Sequence, residues 1–325
     1  MSPEDGECGS CPRGRGRLRF GRPRVVAMDP KVMAALSELG VPYREREPFA
    51  RHTSMGVGGP AAVMAFPRTG KELQACLRLR SELHVPHRVL GAGSNLVVMD
   101  EGLDELVVST RELRGSQIGE DGRLTAEAGA NLIQTVVRSC RAGWKGLQSA
   151  AGIPGSVGGA AVMNAGAYGF SISDVLDEIV VLDADGQETT PPEGWRFHYR
   201  GSSIPEGAAV ASIRLRLVPG DPDELGREIR ELQKARTQSQ PVGRNAGCVF
   251  KNPERAPAGR LIDELGLKGL RRGGAVVSPR HANFVMNEED ASAADVLGLI
   301  DEVRERVRRE LGVELELEVK VWGAR

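Results

Sequence analysis

The chain of 325 residues has no excess of either charge, since 43 Lys and Arg stand against 44 Asp and Glu. That balance argues against a strongly charged partner. No basic stripe follows the first residues, so nucleic-acid binding lacks its usual signature. No apolar run approaches the roughly 20 residues needed to cross a bilayer, and the N-terminus lacks the apolar core of a signal peptide. A cytoplasmic protein without membrane insertion is expected. Cysteine is sparse. Cys8, Cys11, Cys76, Cys140 and Cys248 form an odd, scattered set that makes no disulfide framework. Cys8 and Cys11 form a C-x-x-C, but zinc needs two more ligands at comparable spacing and none follows. Two exposed thiols in a loose tail account for the pair, and no metal is expected. Aromatics are few, whereas aliphatics suffice for sizeable cores. Two nucleotide signatures are missing as well. No G-x-G-x-x-G sits between a strand and a helix with an acidic residue about 20 positions later, and no P-loop is present.

Length alone predicts two or three domains. Residues 1–27 are rich in Gly, Arg, Pro and Cys, show little apolar periodicity, and are expected to be disordered. Met28 opens a more ordinary start and is a candidate initiation site. The pattern Val32-Met33-Ala35-Leu36-Leu39 predicts a helix ending at Gly40. Further helices are predicted over 71–82, 132–142, 222–237, 258–265 and 293–311. Strands are predicted over 61–66, 87–90, 105–109, 124–128, 178–183, 208–218 and 314–322.

Three stretches are too glycine-rich for element interiors: Met55–Pro60, Gly91–Asn95, and Gly152–Gly159 with Asn164–Gly169 following. Glycine lets a backbone approach a ligand closely and aim several N–H groups at one anion, as a pyrophosphate requires. Any one stretch reads as a tight turn between strands. Three in one half of the chain favour a dinucleotide-sized ligand on a scaffold other than the two excluded. A side chain at Gly93 is expected to block the phosphates.

The segments His52–Ala61, Leu90–Leu96, Gly152–Gly159, Met163–Gly169, Tyr199–Ser202, Gly247–Pro253 and Leu261–Asp263 resemble, in order, the motifs of MurB, the UDP-N-acetylenolpyruvoylglucosamine reductases. The resemblance spans about Pro42 to Gly323 and is closest to the compact subtype without an inserted substrate loop. It implies an α+β protein: a two-lobed FAD-binding domain of the vanillyl-alcohol oxidase / p-cresol methylhydroxylase type plus a C-terminal α+β substrate domain. The expected divisions are 28–88 for lobe 1, 89–220 for lobe 2 and 221–325 for the substrate domain. It also implies non-covalent FAD, NADPH as hydride donor, and UDP-N-acetylglucosamine enolpyruvate as substrate, in peptidoglycan precursor synthesis. A monomer is expected.

By the same resemblance, the cofactor contacts are Gly56, Gly58, Gly59, Gly91, Ala92, Gly93, Ser94, Asn95, Gly152, Ile153, Pro154, Gly155, Ser156, Gly158, Gly159 and Ala160. Arg200 corresponds to the catalytic arginine, whose planar fork suits a carboxylate. Glu318 matches a C-terminal catalytic glutamate. Cys248 stands where the family more often has a proton-donating serine. A thiol with an unperturbed pKa near 8.5 can do that work, although a small buried hydrophobe is the plainer alternative. Tyr168, Gln240, Lys251 and Asn252, with Arg200, are expected substrate contacts; His281 and Asn287 fit a family motif too, either touching ligand or, as the favoured reading, holding the lobe together. Two other functions remain open on sequence. An oxidase of the wider flavin family would often tether flavin through a histidine near the phosphate loop, and Gly91–Asn95 carries none. A flavin-free binding protein would have no use for Arg200 and Glu318.

Overall fold

A computed structural model describes residues 28–191 and 194–323. The disorder expected of residues 1–27, and the Cys8–Cys11 pair, lie outside them.

The chain folds into three units, each a sheet with helices on it. The first sheet orders its strands Tyr43–Pro48, Pro60–Ala65, Leu103–Ser109, His87–Leu90, the last three parallel. The crossover helix Gly70–Leu83 is capped by Thr69, whose side chain accepts from Glu72 N, and ends at His84 in the left-handed region. It buries Leu73, Cys76 and Leu77, which share one face at a spacing of three and four. The strand His87–Leu90 delivers the chain directly into Gly91–Asn95, so that loop sits at the C-terminal end of a parallel strand, where open α/β sheets bind ligands.

The second sheet is antiparallel, ordered Glu188–Thr189, Leu176–Leu182, Ala209–Arg216, Arg123–Glu127, Ser116–Ile118. Helix Leu132–Arg141 covers it, burying Leu132, Thr135, Val136, Ser139 and Cys140 behind an Asn131 cap. Helix Pro222–Ser239 belongs to the same core through Leu225 and Ile229. The third sheet runs Asn245–Cys248, Phe284–Asn287, Ala275–Val277, Arg271–Arg272. It packs on helix Ala293–Leu311, which starts in a Ser292–Asp295 capping box and ends at Gly312.

Two expected divisions need correction. A boundary at 88/89 would cut the strand His87–Leu90, and the first unit instead runs through Leu103–Ser109. A boundary at 220/221 would detach Pro222–Ser239 from the core it helps build, so the third unit begins after that helix. The strand expected over 314–322 is also shorter. Only Lys320–Trp322 pairs as a strand, parallel to Leu96–Val98 of the first half of the chain. No helix among the described residues is long and apolar enough to cross a membrane.

Candidate active site

All three units line one cavity of about 720 Å³, a size in the range of ligand pockets. Its wall includes Gly91, Ala92, Gly93, Ser94 and Asn95 from the first unit. The second unit contributes Ile153, Pro154, Gly155, Ser156, Gly158, Gly159, Ala160 and Arg200, and the third contributes Cys248, Lys251 and Glu318. The two glycine loops face each other closely. Ser94 Oγ donates to Pro154 O (3.2 Å). A Cβ on Gly155 would lie 2.9 Å from Ser94 Oγ, and one on Gly91 would lie 2.8 Å from Ser156 Oγ. Among the described residues, the amides of Ala92, Gly93, Ser94 and Gly155 have no acceptor. A narrow cradle with several free N–H groups and no room for side chains suits a pyrophosphate. The cavity therefore fits a dinucleotide such as FAD.

The other expected cofactor contacts lie elsewhere. Gly56, Gly58 and Gly59 are not on the cavity wall. A Cβ at Gly59 would meet Asp100 O at 2.1 Å, and one at Gly58 would meet Phe49 and Val98 at 2.9 Å. These glycines are needed for packing between segments. Gly152 stands behind the wall, where its missing Cβ (2.5 Å from Arg236 Cδ) lets that arginine pass. Gly93 does line the cavity, but a Cβ there would lie 2.0 Å from His52 O, at φ +64°. Its side chain is excluded by the protein's own backbone before any ligand arrives.

Arg200 occupies the turn of the hairpin Phe197–His198/Gly201–Ser202, at φ +58°. A non-glycine residue there costs roughly 1–2 kcal/mol, and such strain gathers at functional positions. The hairpin is held from below, since Ser202 Oγ donates to Val162 O and Asn164 Nδ2 to His198 O. The Arg200 guanidinium donates through Nη1 to Gly166 O (2.9 Å), and its Cζ lies 5.0 Å from the Tyr199 ring centroid. Its Nε lies 2.9 Å from Glu318 Oε1. That buried N–H is nevertheless not aligned for a hydrogen bond and has no acceptor among the described residues.

Glu318 is placed by its backbone. Its N–H donates to Val249 O (2.8 Å), and its carbonyl accepts from Asn95 Nδ2 (3.0 Å). The Asn95 side chain thus holds the glutamate in place from the glycine loop. Burial pushes the Glu318 carboxyl above its ordinary range, against the opposing pull of Arg200 and Lys251. Cys248 ends the strand Asn245–Cys248, whose pairing with Phe284–Asn287 is bulged. Gly247 takes φ +77° there, which re-aims the next side chain. Cys248 is half-buried, and burial pushes its thiol up to about 11. Glu318 adds to the rise, and Arg200 and Arg236 oppose it.

The expected substrate contacts divide. Gln240 and Lys251 line the cavity, with Lys251 Nζ 2.6 Å from Glu316 Oε1. Asn252 does not, because its Oδ1 accepts from Ala258 N and caps the helix Ala258–Glu264. Tyr168 is also off the wall, 58% exposed at the tip of a small hairpin. His281 and Asn287 make structural hydrogen bonds: His281 Nδ1 accepts from Asn283 N, and Asn287 ties Met55 O to Ala291 N. Among the wall residues, sequence reasoning missed Arg236. Arg236 enters the cavity from the last turn of Pro222–Ser239, and no carboxylate among the described residues pairs with it. Burial lowers its pKa. A signal was available, since Leu225, Ile229 and Arg236 share one face at spacings of four and seven. A cation at the end of an apolar stripe faces inward.

The model of the UDP-N-acetylenolpyruvoylglucosamine reductase C-terminal domain matches residues 238–322, and that of an FAD binding domain matches residues 60–190. The chain is 43% identical over 300 residues to a UDP-N-acetylenolpyruvoylglucosamine reductase of Moorella thermoacetica, covering 91% of this chain and 99% of that one. Identity to the corresponding protein of Carboxydothermus hydrogenoformans is 41% over 285 residues, 87% of this chain and 94% of that one. Among solved structures it is similar to UDP-N-acetylenolpyruvylglucosamine reductase (MurB) from Thermus caldophilus. The TM-score is 0.74 and the identity 40%, over 87% of this chain and 99% of that one.

Proposed function

Because the chain belongs to the UDP-N-acetylenolpyruvoylglucosamine reductase family, we propose that Arg200, Cys248 and Glu318 carry the substrate half of that family's reaction. The reaction is the NADPH-dependent reduction of UDP-N-acetylglucosamine enolpyruvate to UDP-N-acetylmuramate, in peptidoglycan precursor synthesis. FAD, held by the Gly91–Asn95 and Ile153–Ala160 loops, would supply hydride transfer from NADPH to the enol ether. The substrate's double bond is conjugated to a carboxylate, so hydride goes to the terminal carbon and a proton to the carbon bearing the carboxylate.

The observation that carries the assignment is the meeting of Arg200 and Glu318, from different units, at 2.9 Å beside Cys248 in the cavity. Arg200 offers a fork to the substrate carboxylate and stabilises the enolate charge that develops there. Arg236, unpaired in the same wall, adds a second positive charge for the carboxylate or the diphosphate. The Cys248 Sγ holds the proton, and its raised pKa keeps it protonated until needed. Glu318 steadies Arg200 and shares in stabilising the enol. Gln240 and Lys251 face the UDP-sugar from the wall, and Tyr168 meets it at the mouth. The protein acts as a cytoplasmic monomer.

Rapid mixing separates the half-reactions. Arg200→Ala and Glu318→Ala should both still be bleached by NADPH at the wild-type rate. Reoxidation of the reduced flavin by the enolpyruvyl substrate should slow on the order of 100-fold, as for loss of one oxyanion donor. Slow bleaching with normal reoxidation contradicts the assignment.

A further inference from the structure

Cys248 and Glu318 reach the cavity on two segments joined by a single bridge, Phe250 to Leu317. A buried side chain braces that junction from behind. The strand Asn245–Cys248 pairs with Phe284–Asn287 as far as Cys248 and Phe284. One residue further, Val249 N still donates to Asn283 O (2.9 Å). There the Asn283 side chain takes over from the backbone. Its Oδ1 accepts from Phe250 N (3.0 Å), and its Nδ2 donates to Phe250 O (2.8 Å). Asn283 is 2% exposed, so water does not compete for either bond. On the opposite side the same peptides meet the Glu318 segment. Val249 O accepts from Glu318 N (2.8 Å), and Lys251 N donates to Glu316 O (2.8 Å). Phe250 N and Val249 O belong to one peptide plane, and Lys251 N and Phe250 O to the next. Each plane is rigid, and each is held between Asn283 and the Glu316–Glu318 stretch.

The geometry points to Asn283 as a positioning residue for the protonation half of the reaction: by clamping two consecutive peptides, it sets where Cys248 and Glu318 stand relative to each other. Asn283 is not on the cavity wall, so it acts only through the segment it holds. Cys248 immediately precedes the first clamped plane, and Glu318 hangs from that plane by its own N–H. The clamp needs one donor and one acceptor side by side, which an amide supplies. Without it the thiol and the carboxyl lose their common support. Misplacing them slows delivery of the proton to the substrate and leaves uptake of hydride from NADPH untouched.

The inference rests on the proposed roles of Cys248 and Glu318, so Cys248→Ala is measured alongside. Asn283→Asp keeps the shape of the side chain. As a neutral acid it offers one acceptor and one donor, as the amide does, whereas the carboxylate has no donor and would face Phe250 O. Burial raises such a carboxyl, so it should titrate between about pH 6 and 9. Rapid mixing of the holoenzyme across that range reads both half-reactions as ratios to wild type. Reoxidation by the enolpyruvyl substrate should match wild type at the acid end. It should fall on the order of tenfold toward the alkaline end, less than the ~100-fold that a 1 Å misplacement can cost. Bleaching by NADPH and flavin content should stay at wild-type values throughout. Asn283→Ala, which has no donor at any pH, should reoxidise about tenfold more slowly across the whole range. If the reoxidation ratio of Asn283→Asp stays near one at every pH, or if bleaching and flavin content fall with it, Asn283 serves the fold alone and the inference is overturned. Reoxidation of Cys248→Ala at the wild-type rate would instead overturn the donor reading, and the positioning role with it.

Discussion

At Cys248 the environment decides what the residue type alone leaves open. An unperturbed thiol near 8.5 would place an alkaline limb within ordinary buffers. Burial, reinforced by Glu318, pushes this thiol up to about 11. In the proposed role the protonated form is the donor, so its activity should persist below the folded pKa and disappear as pH rises through about 11. The turnover profile should therefore show no loss attributable to this thiol between about pH 7 and 10. Cys248→Ser should remain active with the same profile over that span. Cys248→Ala should be bleached normally by NADPH but turn over ~100-fold more slowly, since a positioned general acid contributes typically 10²–10⁴-fold. Steady-state rates across pH for the three proteins check this. A Cys248→Ala enzyme at the wild-type rate reduces the thiol to packing. A wild-type limb near 8.5 that Cys248→Ser abolishes leaves the donor role standing and refutes the burial argument.

Among the loops and helices, Gly93 shows how a glycine's place is easier to read than its reason. Its φ of +64° and the 2.0 Å gap to His52 O make any Cβ a backbone clash. Gly93→Ala should therefore lower the melting temperature of flavin-free protein by several degrees, as well as weaken flavin binding. Calorimetry on stripped protein decides. An unchanged melting temperature with lost flavin would restore the simpler view that the ligand alone excludes a side chain. Elements with strong local signals were legible. Leu132–Arg141 has both cap and stripe, and Ala293–Leu311 has a capping box and a closing glycine. The helix Val157–Val162 was not, because Gly158 and Gly159 are poor helix formers. It exists because Ser156 caps it, and the missing Cβ of Gly158 admits the neighbouring Ala128. The alternating Leu315, Leu317 and Val319 imitate a strand, but lie against the bulged Gly247–Lys251 stretch with only one bridge, Phe250 to Leu317. Arg200, Cys248 and Glu318, the residues proposed for catalysis, stood out as candidates through their motifs. Arg236 and Arg88 belong to no such motif, and only tertiary packing brings them to the wall.

At the scale of the whole molecule, the proposed chemistry needs Arg200 of the second unit to meet Glu318, which lies beyond the third unit's long helix. Unit boundaries drawn along the sequence miss how this is secured, because the ties run between distant segments. Asp100, at the edge of the first unit, accepts from Ala293 N (2.8 Å) and Ala294 N (3.0 Å), capping the helix Ala293–Leu311 from outside. Ser54 Oγ donates to Asn245 O (2.6 Å), and Asn287 Nδ2 to Met55 O (3.0 Å). The final strand returns to pair with Leu96–Val98. The helix therefore has two caps of different kinds: Ser292, local, and Asp100, reaching across units. Loss of either should cost about 0.5–2 kcal/mol as a cap. Ser292→Ala should stop there and keep a single cooperative urea transition. Asp100→Ala also releases the third unit from the first, so it should lower the midpoint further and split the transition. Flavin release should then precede loss of helical circular dichroism, a departure from two-state behaviour. Equal midpoint shifts with coincident transitions in both variants would make Asp100 an ordinary cap, leaving the final strand and the Ser54 and Asn287 contacts to hold the units together.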